Sequence, residues 1–398
     1  MFAFLHRWLK PTRRTCPFKQ SRRRLGFEIL ENRTTPANIA ISASTLTTAT
    51  AIRLTYHVSD VTQFDVGIYR SADPVFSADD ALITDSTITA KATAANQFAT
   101  ISLAGEIPLD PARPYVLAVA DPKNDISETN EADNTAEFRK LALAVVTHGL
   151  EITGRLPAWL DDMAAGLKRE GFARVLEFNW AQASRLPLPG MAVLAGSRLA
   201  QQVRLAADAL GAKPTDVVDV QFIGHSRGNV VISQALLNLQ RFPGPRELRL
   251  GYFQLTLLDP HPAMNSGSLA AGLAELQNRT GVSSIGGFSF NPNSLVSVIE
   301  ARATLRFQSL ARDPLVVIPA NVDAIQVYYQ RLPWDQTTPG GFEFTTGLNL
   351  WGQLPGGLVN RSGKPVDAVD ISASPINSTA GHTSVQLWYI DQFLPPAP

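Results

Sequence analysis

Residues 217–239 read VVDVQFIGHSRGNVVISQALLNL, and the fold of the chain turns on how this stretch is understood. A buried β-branched run stops at Gly224-His225-Ser226-Arg227-Gly228, and Val230, Val231, Ala235, Leu236 and Leu239 then recur at helical spacing. The pattern predicts strand, sharp turn, helix. A serine at such a turn stands clear of the sheet edge, and backbone passes so close that only hydrogen fits at the flanking positions, which accounts for both glycines. Gly-x-Ser-x-Gly alone is a weak signal. The strand before it and the helix after it make Ser226 a candidate nucleophile, against the plainer reading of a glycine-bounded turn with an inert serine.

Working outward, apolar runs alternate with helical patterns on both sides. Upstream, residues 141–146 read as a strand, 156–170 as a helix, 174–180 as a strand and 193–210 as a helix. Downstream, strands are predicted at 248–258, 324–329 and 368–371, with a closing helix at 385–394. Strands alternating with helices predict a mostly parallel sheet covered on both faces. Two tracts have no place in that plan. Residues 263–310, rich in Gly, Ser and Asn, suit a cap over a site or a surface excursion, and residues 333–365, with Trp334 and Trp351, suit a hairpin-like insertion.

The order of these motifs resembles the α/β-hydrolase family. In that family a His-Gly-x after an early strand supplies part of the oxyanion hole, and Thr147-His148-Gly149-Leu150 stands at that place. The resemblance implies that the backbone amides of Leu150 and Arg227 would hold the negative oxygen of a tetrahedral intermediate, with His148 shaping the loop. The strand at 253–258 ends in Asp259-Pro260, where a carboxylate could orient a catalytic imidazole; Leu-Asp-Pro looks like the acid position of the lipase branch. Asp335 and Asp323, beside the next strand, are rivals. Of the six histidines, His6 lies in the leader, His57 on the wet face of a strand, and His148 and His225 belong to the two loops. His261 is too close to Asp259 along the chain to be held by it and still reach Ser226. That leaves His382, in the order serine, acid, histidine that the fold uses.

The N-terminal part is patterned differently. In Ala51-Ile-Arg-Leu-Thr-Tyr-His-Val58 apolar and polar residues alternate, and further short strands are expected at 64–69, 98–103, 115–120 and 136–143. Such spacing predicts an immunoglobulin-like β-sandwich. Asp121 to Asn134 and Ser71 to Asp80 are similar to stretches of CARDB domains, immunoglobulin-like modules of bacterial surface proteins, which implies a spacer or adhesion role. Its acidic residues could ligate calcium, but Asp and Asn here more simply make turns that bond their own backbone.

Residues 1–33 hold nine Lys or Arg against Glu28 and Glu31, so the neutral chain of 35 basic and 35 acidic residues is a basic leader on an acidic body. A body so charged offers no electrostatic footprint for nucleic acid. The stretch from Leu25 through Arg33 resembles the LEPR-XLL motif at the N-terminus of large bacterial extracellular proteins, which implies export; a basic tail on a cytoplasmic enzyme is the alternative. No stretch is long enough to span a membrane. Cys16 is the only cysteine, so no disulfide forms within the chain.

The expected organisation is a leader at 1–37, an immunoglobulin-like sandwich at 38–140 and an α/β-hydrolase domain at 141–398. The expected activity is a serine esterase or lipase acting on an acyl ester or lipid, with Ser226, Asp259 and His382 catalytic, and no metal or cofactor required. The alternatives are an acyltransferase, or a surface scaffold in which the hydrolase half survives only as a fold and the sandwich makes cell-surface or polymer contacts.

Overall fold

Period-two alternation in the first hundred residues produces paired strands, and the computed structural model arranges them in two layers. It describes residues 37–91, 93–151, 154–186, 188–242, 249–260, 313–329, 355, 358–371 and 385–394. The leader up to residue 36, the cap tract at 263–310, Asp335 and His382 lie outside the described residues.

One layer joins β1 (Asn38–Thr48), β2 (Ala51–Ser59) and β5 (Thr93–Ser102) antiparallel. The facing layer holds β3 (Gln63–Ser71), β4 (Ala81–Thr89), β6 (Tyr115–Ala120) and the first residues of β7 (Thr135–Thr147). Ile52, Leu54, Tyr56 and Val58 turn inward from β2 and meet Phe64, Val66, Ile68, Val116 and Phe138, while Arg53 stays outside, stacked over Phe98. In the acidic loop Asp121 accepts the amides of Asp125 and Ile126 and Asn130 that of Ala132, while the Glu128 carboxylate accepts the Ile39 amide of β1 and the Asn134 side chain.

The two regions expected to be separate share a strand. Residues Thr135–Arg139 of β7 pair antiparallel with β6, and Lys140–Thr147 pair parallel with β9 (Val217–His225), as Leu143–Thr147 do with β8 (Arg174–Phe178). Burial along β7 alternates as far as Arg139 and is continuous from Lys140 onward. That is the change from a strand wet on one face to one covered on both. The sequence divides this segment into two strands because its pattern changes there; the backbone does not break.

From β7 the sheet continues through β9, β10 (Leu250–Leu258), β12 (Ala324–Tyr329) and β14 (Asp367–Asp370), each parallel to its neighbour, within one nine-stranded mixed sheet. A parallel pair β11 (Val317–Ile318) and β13 (Val359–Asn360) lies apart. Successive side chains serve opposite faces. Leu143, Val145, Val220, Phe222 and Leu257 pack under α3 (Met191–Asp208) and α4 (Gly228–Arg241). Ala142, Ala144, Val146, Ile223 and Leu258 pack under α1 (Trp159–Arg169) and the C-terminal helix α5 (Val385–Phe393). A short turn of helix, α2 (Ala181–Ser184), follows β8.

The junction between the layers and the parallel strands is ionic. The Lys140 ammonium, 3% exposed, lies 3.1 Å from the Asp219 carboxylate and donates to the Ile107 carbonyl, while Arg139 grips Asp216 through Nε and Nη2. A cavity of about 210 Å3 opens there, lined in part by Leu46, Glu106, Lys140, Tyr252 and Asp323, at the N-terminal ends of the parallel strands.

Candidate active site

All nine residues of β9 are buried, and the chain then turns sharply before α4 starts at Gly228. Ser226 makes that turn with φ of +57°. The left-handed region costs an ordinary side chain roughly 1–2 kcal/mol. The turn is held by contacts that the flanking glycines permit: a Cβ at Gly228 would lie 2.6 Å from the His148 carbonyl oxygen, and one at Gly224 would lie 2.6 Å from Asn229 Oδ1. Asn229, wholly buried, donates through Nδ2 to the carbonyl oxygens of both Ser226 and Leu258, so one amide fastens the turn to the neighbouring strand.

Asp259 lies at the end of that neighbour. The register pairs Leu258 of β10 with His225 of β9, and the Ser226 amide donates to the Leu258 carbonyl at 3.0 Å. Asp259 itself turns with φ of +40°, is 1% exposed and donates its amide to the Tyr328 carbonyl of β12. Two non-glycine residues in left-handed conformation thus sit side by side at the C-terminal edge of the sheet. Asp and Asn adopt this conformation readily, as Asp60, Asp121 and Asn124 do in turns of the sandwich, so Ser226 is the more strained of the two.

Asp323 is at the other edge. It precedes β12, its carboxylate accepts the Phe253 amide at 2.7 Å, and burial beside Glu106 pushes its pKa up to about 6. With Gln254 opposite Ala324 and Leu258 opposite Tyr328, Asp323 is separated from Ser226 by the length of the strand. Asp335 and His382 fall outside the described residues; the chain leaves the sheet at Ile371, whose amide bonds the Tyr329 carbonyl, and is described again from Val385.

The loop after β7 runs against the serine. A Cβ at Gly149 would lie 2.6 Å from Ser226 Cβ and 2.9 Å from its Oγ, so only glycine lets the loop approach the hydroxyl this closely. His148 is fully buried; its Nε2 accepts the Trp180 amide at 3.2 Å and its Nδ1 lies 3.0 Å from the Gly149 carbonyl. The acceptor role at Nε2 assigns the proton to Nδ1. Burial holds the pKa of this imidazole down at about 4, so it is neutral and structural near pH 7. Next along, burial pushes the Glu151 carboxyl up to about 7. His225 meets Trp159 edge to face at 5.9 Å.

The structure therefore brings Ser226, Asp259 and the His148–Leu150 loop to one sheet edge and takes Asp323 away from it. It also reveals partners that the sequence reading did not single out. The Arg227 guanidinium, 2% exposed, binds Asp313 at 2.5 and 2.8 Å, donates to the Ser184 carbonyl at 2.6 Å and lies over the Trp180 ring. The position of Asn229, next to the second glycine, was a usable signal; Asp313, 86 positions from its partner, had none. Among the described residues no group of three or more His, Cys, Asp or Glu is placed to hold a metal ion.

No protein-family model matches the chain, and no curated protein matches it. Solved structures resemble it only distantly. A siderophore hydrolase from Aspergillus fumigatus is 14% identical over 70% of this chain and 92% of its own, with a TM-score of 0.31. A thioesterase of the prodiginine pathway of Streptomyces coelicolor is 14% identical over 58% and 81%, with a TM-score of 0.24. A CARDB domain from Pyrococcus furiosus, solved with metal ions, is 16% identical over 26% and 87%, with a TM-score of 0.17. Likenesses of this size carry no functional inference.

Proposed function

We propose that this chain is a serine hydrolase of the α/β-hydrolase type that cleaves a carboxylic ester through an acyl-enzyme. The observation that carries the reading is Ser226 at φ +57° between β9 and α4, with the Gly149 loop against its hydroxyl and Asp259 on the adjoining strand end. Asp60, Asp121 and Asn124 also take positive φ in turns of the sandwich, but Asp and Asn tolerate that conformation readily, and serine does so less.

In the proposed chemistry Ser226 Oγ attacks the acyl carbonyl carbon and gives its proton to His382. The carbonyl π electrons move onto oxygen, which the Leu150 and Arg227 amides stabilise. Collapse breaks the bond to the alcohol, which leaves with the proton from His382. Water then attacks the acyl-enzyme, His382 takes its proton and returns it to Ser226, and the carboxylic acid departs. Asp259 orients the imidazole throughout.

A panel of p-nitrophenyl esters of increasing chain length tests this reading and reports the acyl preference. Ser226→Ala should lower kcat by about a thousandfold or more. Asp259→Asn should lower it by up to about ten-thousandfold, the size known for a triad acid, while Asp335→Asn changes it little. Folded wild-type protein that leaves every ester intact would count against the proposal. Transfer to an added alcohol in preference to water would convert it into acyltransferase activity.

A further inference from the structure

We propose that Arg227 also serves as a positioning residue, its guanidinium holding the oxyanion hole in shape before substrate binds. This rests on the hydrolase reading above. The two hole donors of that reading, the Arg227 amide and the Leu150 amide, belong to different loops, which β7 and β9 hold side by side as far as Thr147 and Gly224. One short segment joins them.

That segment is Trp180 to Ser184, at the start of and along α2. On the loop side, Trp180 Nε1 donates to the His148 carbonyl at 2.8 Å, the Glu151 amide donates to Ser184 Oγ at 3.0 Å, and Gln182 Nε2 donates to the Gly154 carbonyl at 2.9 Å. Leu150 is thus flanked on both sides by fastened residues. On the other side, Arg227 Nη1 donates to the Ser184 carbonyl at 2.6 Å, and the guanidinium lies over the Trp180 ring, 5.2 Å from its centroid. Asp313 closes the fork from behind, accepting from Nε and Nη2. Through this side chain the elbow that carries one donor is tied to the segment that fastens the loop carrying the other.

The chemistry of the pair supports positioning over packing. Burying an arginine and a carboxylate, 2% and 0% exposed at their side chains, brings a desolvation penalty that apolar residues of similar volume would avoid. What the fork supplies instead is fixed planar geometry. A small misplacement of hole donors lowers the rate steeply, and preorganised donors account for much of such catalysis.

The test compares a p-nitrophenyl ester with its thionoester, whose sulfur accepts hydrogen bonds poorly, in wild type, Arg227→Lys and Ser184→Ala. Arg227→Lys keeps the charge and loses the fork; Ser184→Ala keeps the ion pair and removes only the hydroxyl that holds the Glu151 amide. Both should lose kcat on the ester by roughly 10- to 100-fold with KM within about threefold, and both should narrow the preference for ester over thionoester by about tenfold. Folded variants that keep the wild-type preference overturn the positioning role and leave the hydrolase reading standing. If Arg227→Lys does not fold, Asp313→Asn, which weakens the fork and leaves both loops unaltered, decides by the same readouts. Wild-type protein that cleaves neither substrate overturns the hydrolase reading and this inference with it.

Discussion

Ser226 keeps a Cβ in a conformation that glycine adopts freely, so its replacement reports on strain as well as on chemistry. Ser226→Gly should be about 1 kcal/mol more stable than Ser226→Ala in denaturant unfolding, with both inactive; equal stabilities would mean that the turn is unstrained. His148 makes a prediction in pH. Its folded pKa, about 4, lies below the ordinary value of 6.5, so between these the unfolded chain binds more protons. Stability contributed by the neutral ring is complete above about pH 6.5 and is lost as pH falls toward 4, on the order of 3 kcal/mol. Raised carboxyls act with opposite sign: Asp323, lifted to about 6, favours the fold at low pH and loses that contribution as pH rises through the window below 6. The comparison is therefore between wild type and His148→Gln, whose amide oxygen can still accept the Trp180 amide. Melting temperatures should converge as pH falls from 6.5 to 4, and parallel profiles would contradict the assignment. At this scale the sharp turn at Ser226 was legible in the sequence, because a glycine-flanked serine between strand and helix leaves a local trace. The Arg227–Asp313 pair was not, since ion pairs between distant positions leave none.

Among the elements, β7 carries the most consequence. Its two halves were legible as overlapping strands, 136–143 by alternation and 141–146 by an unbroken apolar run, but their identity as one strand was not, because the change of pattern near Lys140 reads as a domain boundary. In the structure Lys140 is buried with Asp219 and so belongs to the crossing. Lys140→Met should destabilise the protein by about 3 kcal/mol by taking from a buried carboxylate its bonded cation and leaving only the Arg70 field, and adding Asp219→Asn should restore most of that. Equal loss in the single and double variants would show that the pair is not coupled. Strand β4 was missed for a different reason: at the sheet edge it buries little besides Ile88 and exposes Leu82, so its apolar residues mark no clear face.

For the whole molecule, a strand common to both halves predicts a single unfolding event. Residues 36–398 form one compact unit, and Val217 of the parallel sheet packs into the sandwich core. None of the six tryptophans lies between residues 38 and 140, so tryptophan fluorescence does not follow the sandwich, whereas far-UV circular dichroism follows both halves. The two transitions should coincide in denaturant. A dichroism transition that persists after fluorescence has finished would mean that the sandwich stands alone. The sequence showed two kinds of pattern and so suggested two bodies; the register that joins them depends on which strands become neighbours, which no local pattern records.

The central claim is that Ser226 is a nucleophile, and covalent labelling with a fluorophosphonate, mapped by peptide mass spectrometry, tests it most directly. The account predicts one adduct per chain on the peptide containing Ser226, absent in Ser226→Ala. Folded protein that takes up no label, or that carries it on another residue while Ser226 stays unmodified, would contradict it.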